Sequence, residues 1–157
     1  MKRLFAASLI VCLAVVAVAA ETPSKKGALP AASQTKPDTG AIAKANLLLP
    51  MQLDTCTTQA KIIFIQLQSG TRPDVADLQE CISKGKSDVK AAYDAAKDSF
   101  SPQKPPAELV EWRLEWTAAF DTANPIDSDT ERTYLQRIGV AKQKAERANA
   151  KLDIALE

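Results

Sequence analysis

The sequence predicts an all-α protein, an antiparallel up-down-up-down four-helix bundle with helices over about 50–69, 73–100, 106–123 and 128–156. Three observations predict it. Ala, Leu, Lys, Glu and Gln are abundant while aromatics make up 5% of residues and Gly is scarce, so helix formers outnumber strand formers. Apolar residues recur at alternating spacings of three and four, the mark of one helical face. Clusters of Gly, Pro, Ser and Asn separate these periodic segments.

The chain opens with a targeting pattern. Lys2 and Arg3 form a positive n-region, and LFAASLIVCLAVVAV from Leu4 to Val18 is an uncharged apolar stretch, shorter than the roughly 20 residues that span a bilayer. Small residues follow, and both Ala17/Ala19 and Val18/Ala20 suit the signal peptidase, so residues 1–20 read as a cleaved secretory signal peptide cut after Ala19 or Ala20. Cys12 leaves with it. Residues 21–40 mix Pro, Ser, Thr, Lys and Gly without periodicity and read as a flexible linker, and 41–157 as one helical domain.

In the first helix Leu53, Cys56, Ala60, Ile63 and Leu67 share a face, and Ile62-Ile63-Phe64-Ile65 widens it enough to call for cover on two sides. Pro50 suits a first turn better than an established helix, so the helix is expected to be running by Pro50-Met51, with a start nearer Gly40 left open. Gly70 reads as a left-handed terminator, Thr71 as the next N-cap, and Asp74 as a first-turn acid facing the positive end of the dipole. The second helix then shows Val75, Leu78, Ile82, Gly85, Val89, Ala92 and Ala96.

Ser101-Pro102-Gln103-Lys104-Pro105-Pro106 cannot be helical and links the two halves. Leu109, Trp112, Trp116, Ala119 and Phe120 form the apolar face of the third helix, with Glu108, Glu111, Arg113, Glu115 and Asp121 opposite. Ser128-Asp129-Thr130-Glu131 matches a Ser-x-x-Glu capping box. The fourth helix carries a narrow seam of Tyr134, Ile138, Ala141, Ala145, Ala148, Leu152 and Ala155, small enough to admit the bulky residues of the third helix.

Export leaves Cys56 and Cys81, and an even count in an oxidising compartment reads as a disulfide. Folded about residue 70, the first two helices bring both cysteines to nearly the same height, so the bond is expected to join helix one to helix two. Two thiols far apart with no histidine fit neither a Cys-x-x-Cys redox pair nor a structural zinc site.

Histidine is absent from all 157 residues. That excludes an imidazole base, His-ligated haem or zinc, and the Glu-x-x-His di-iron pattern of many bundles. No phosphate loop, dinucleotide turn or haem attachment motif is present, so no cofactor and no catalytic residue is assigned. With Lys2 and Arg3 removed, the 20 basic and 19 acidic residues leave a net charge of −1, which attracts no nucleic acid at long range. No integral membrane segment remains after cleavage.

Glu108, Glu111 and Glu115 read as a solvated face, Asp127, Asp129 and Glu131 as helix-start residues, and Lys142, Lys144, Arg147 and Lys151 as a solvated basic bias. Trp112, Trp116 and Gly85 are the candidate ligand or partner surface. The two indoles also fit a core role, and Gly85 either clears room for a bulky neighbour or opens a pocket. The functional expectation is a non-enzymatic exported bundle, periplasmic or secreted, that acts by protein–protein interaction in the cell envelope as an accessory, inhibitor, immunity or chaperone-like factor. The alternative is a small-ligand or metal-ion carrier of the periplasm. The missing Asn-x-Ser/Thr sequon favours a bacterial setting.

Overall fold

The structure, a computed structural model, describes residues 38–157. The leader 1–20 and all but the last residues of the linker 21–40 lie outside the described residues. Helix α1 runs Gly40–Gln68, α2 Ala76–Ser99, α3 Ala107–Thr122 and α4 Glu131–Leu156, with no strand among the described residues. Each helix packs on its sequence neighbour, and α1 closes the ring on α4. This is the expected four-helix bundle.

Helix α1 begins at Gly40, well before the expected start near residue 50, and Pro50 lies inside it. Pro50 has no N–H to offer the Asn46 carbonyl, a defect that normally breaks a helix. Tertiary contacts hold the segment instead. Ile42, Ala45 and Leu49 are buried, and the Asn46 side chain accepts the Trp112 indole N–H at 2.9 Å.

At the other end Gly70 takes φ 73°, as its sequence context predicts. The Thr71 N–H bonds the Gln66 carbonyl at 2.9 Å and the Gly70 N–H the Leu67 carbonyl at 3.1 Å, the paired bonds of a Schellman motif. Thr71 does not cap α2. Its hydroxyl meets Ser69 at 3.1 Å, while Asp74 accepts the Ala76 N–H at 2.9 Å and delays the helix to Ala76.

The start of α4 also moves, from 128 to Glu131. The capping box is Thr130 with Thr133, joined by Thr130 N–H to Thr133 Oγ1 at 2.8 Å and Thr133 N–H to Thr130 Oγ1 at 3.2 Å. Ser128 loses that role because Asp129 is held elsewhere, accepting the Ile126 N–H at 3.0 Å and a bond from Arg137. A loop pinned at Asp129 turns into helix only after it.

The expected faces otherwise form the core, with departures, the first being Val75, which precedes α2 and is exposed because the helix starts only at Ala76. Ile62 and Ile65 are exposed, as is Leu67, so the apolar run in α1 is covered on one side only while Ile63 and Phe64 face inward. The physical reason is the ring itself: the far side of α1 has no helix against it. Ala155 lies beyond the core end of α4 and is exposed.

Gly85 is a packing site. A Cβ there would overlap the Phe120 ring, so the bulky neighbour that needs its space is a phenylalanine. The Cys56–Cys81 disulfide joins α1 and α2, with Cα atoms 5.6 Å apart at a sequence separation of 25.

Two stability measurements check this packing. Gly85→Ala forces the buried Phe120 ring to shift, and should cost about 1–3 kcal/mol in denaturant unfolding, with a smaller loss in a Phe120→Leu background. Replacing Cys56 and Cys81 together by Ser frees a loop of this size in the unfolded chain, and should cost about 3 kcal/mol.

Candidate interaction surface

The three residues the sequence singles out as a ligand or partner surface lie in the interior. Trp112 and Trp116 have no exposed area, and Gly85 is buried against Phe120. Both indole N–H groups are satisfied, Trp112 by Asn46 and Trp116 by Asn149 at 2.7 Å. These indoles have no bare face on which a ligand could stack.

The acidic groups do not converge either. Glu111 accepts a bond from Lys151, whose ammonium pKa is raised mainly by that carboxylate, and Asp121 pairs with Lys86 at 2.7 Å. Lys142 reaches across to Asp54 at 2.7 Å. Among the described residues no group of three His, Cys, Asp or Glu side chains could hold a metal ion. Glu111 and Asp121 of α3 and Lys142 and Lys151 of α4 are thus partners in cross-helix ion pairs, each of small energetic weight at the surface.

One polar cluster closes the turn between α3 and α4. Arg137 donates to the Thr122 carbonyl at 3.0 Å, to the Asn124 carbonyl at 3.2 Å and to Asp129. It thereby satisfies carbonyls that the end of α3 leaves without helical partners. Asp129 is held below the usual carboxylate range, first by Arg137 and then by the Ile126 N–H. Beside it the buried Tyr134 donates its hydroxyl to the Ala123 carbonyl at 3.1 Å, and its ring meets Phe64 of α1 at 5.4 Å between centroids. Burial is the main cause that pushes the Tyr134 phenol above its ordinary value. This arrangement holds a loop in place.

Surface concavities are open grooves. One of about 420 Å³ runs between α1 and α2, lined by Lys44, Leu48, Gln52, Lys84, Asp88 and Ala92 among others. Another of about 290 Å³ sits at the turn end, beside Leu67, Val75 and Ile126.

What remains is the outward face of α1. Leu47 is 74% exposed, Met51 68%, Ile65 60%, and Leu48 and Ile62 50% each. Thr55 and Thr58 lie between them, and their hydroxyls bond the helix's own Met51 and Asp54 carbonyls at 3.0 and 2.9 Å. An apolar stripe over most of the longest helix is more than isolated surface residues. Its signal is legible in the sequence as a second three-four repeat, Leu48, Met51, Thr55, Thr58, Ile62 and Ile65, opposite the repeat that fills the core. In sequence the two repeats merge into a single widened stripe.

Among the described residues no helix is long and apolar enough to cross a membrane. No protein-family model, curated protein or solved structure matches this chain.

The buried phenol sets a pH dependence. A raised native pKa means Tyr134 stabilises the fold fully below the unfolded tyrosine value of about 10, and this contribution falls as pH rises from there through the native pKa. Unfolding free energy measured from pH 8 to 11 should decline on the alkaline side, and Tyr134→Phe should flatten that decline while lowering stability at pH 8 by about 1 kcal/mol for the lost hydrogen bond.

Proposed function

We propose that this chain is an exported, non-enzymatic helical-bundle protein that acts in the cell envelope, periplasmic or secreted, by binding protein through the outer face of α1. The observation that carries this proposal is the apolar stripe from Leu47 to Ile65, exposed by half or more at five aliphatic positions. Burying such side chains against a partner is worth about 25 cal/mol per Å² before the costs of association. An unfilled apolar helix face is the usual half of a helix-to-helix contact.

The interior supports the same proposal. The buried ionisable side chains are already engaged, the Tyr134 phenol with the Ala123 carbonyl and the Asp129 carboxylate with Arg137 and the Ile126 N–H, as expected of groups that hold a turn. The disulfide, together with the leader-like pattern of residues 1–20, supports an oxidising compartment. A small-ligand carrier would draw support from the α1–α2 groove, which is broadly open where ligand sites usually enclose most of their ligand. Among the described residues no three-residue donor group supports the metal-ion version.

Site-specific photo-crosslinking in the native envelope tests the proposal. Probes at Met51 and Ile62 should give discrete protein adducts, and a probe at the exposed Ser87 of α2 should give none. Equal adducts from all three positions, or none from the two on α1, would count against α1 as the contact face.

A further inference from the structure

We propose that the partner of this face is a second copy of the same chain, the two α1 helices pairing antiparallel about a two-fold axis level with the Cys56–Thr57 peptide. This rests on the assignment of α1 as a protein-binding face and adds the identity of the partner. The spacing of the stripe is the first observation. Leu48, Met51, Thr55, Thr58, Ile62 and Ile65 follow alternating steps of three and four, the seam of a helix that packs knobs into holes on another.

The order of residues along that seam is its own complement. Turned end for end, Leu48 meets Ile65 of the second copy, Met51 meets Ile62, and Thr55 meets Thr58. Aliphatic residues therefore meet aliphatic residues at both ends and threonines meet threonines at the centre, as a two-fold interface requires. The central threonines bring no unmet donor into the seam, because their hydroxyls already bond the Met51 and Asp54 carbonyls.

Charge selects the antiparallel direction. Helix α1 carries only Lys44, Asp54 and Lys61 as charged residues. Asp54 and Lys61 lie on one edge of the seam, and the antiparallel register sets Asp54 beside Lys61 of the second copy, twice by symmetry. A parallel pairing would set the same two residues against Gln59 and Gln66 and make no ion pair. Asp54 bonds Lys142 within its own chain at 2.7 Å, yet at 61% exposure its carboxylate has room for a second cation.

Area and shape agree. The four aliphatic seam residues leave bare roughly 450 Å², and Leu47 beside them extends the patch, to an area at the upper end of what a monomer exposes in one place and a large part of the ~800 Å² each partner buries in a standard interface. The seam lies on the opposite side of α1 from Leu49, Leu53 and Ala60, which face the core. Two bundles joined this way stand on opposite sides of the helix pair.

The test is the molar mass of the exported, disulfide-bonded chain across a concentration series, by sedimentation equilibrium or light scattering. Wild type should show twice the chain mass. Lys61→Asp, which faces Asp54 of the second copy, should weaken the dimer about tenfold, and Asp54→Lys combined with Lys61→Asp should restore it to within about threefold. Ile62→Glu should yield monomer with an unchanged helical spectrum, since position 62 is half exposed in the single chain. A monomeric wild type at every concentration, a dimer indifferent to both Ile62→Glu and Lys61→Asp, or a double swap no better than Lys61→Asp alone would overturn the proposal. If the monomer nonetheless crosslinks a different protein from Met51, self-association fails while protein binding through α1 stands.

Discussion

The bundle depends on how α3, its shortest helix, fills the centre. Trp112, Trp116 and Phe120 stack along one face of that helix with no exposed area, and everything that touches them is shaped by their volume. Phe120 occupies the space that a side chain at position 85 would need. Ala145 and Ala148 keep the opposing face of α4 low enough to approach. Large residues on one helix thus meet small ones on its neighbours, the interlocking that close-packed interiors require.

The same indoles impose a polar requirement. A buried N–H without an acceptor costs about 1–3 kcal/mol, and the two acceptors come from different helices, Asn46 on α1 and Asn149 on α4. Those bonds tie the first and last helices to α3. They also explain why the segment before Pro50 stays helical, since Asn46 sits on the turn whose backbone bond the proline removes. At the far end Arg137 and Tyr134 do for the α3–α4 turn what the asparagines do for the core: each gives a donor to a carbonyl that would otherwise have none.

A core completed by four helices leaves α1 with a spare face. Its inward repeat, from Ile42 to Phe64, is consumed by the ring, and its outward repeat is left in solvent. Among the described residues three ion pairs cross between helices at the surface, and beside them the outer face of α1 is left as exposed apolar area. The disulfide keeps α1 in place on α2, so that this face is presented on a fixed support.

The sequence by itself determined the number of helices, their order, the Cys56–Cys81 bond and most of the core, because three-four periodicity and Gly/Pro breaks are local properties of the chain. Gly70 is legible for the same reason: only a residue without Cβ terminates a helix in that conformation at no steric cost. Tertiary structure alone decided the rest. Whether Pro50 starts α1 or lies within it depends on Trp112, 62 residues away in the chain. Whether Ser128 or Thr130 caps α4 depends on where Arg137 holds Asp129. The roles of Trp112, Trp116 and the isoleucines of α1 depend on which faces meet a neighbour. Periodicity shows that a helix has an apolar face; it cannot show whether a given side chain on that face is covered, because cover is supplied by residues remote in sequence.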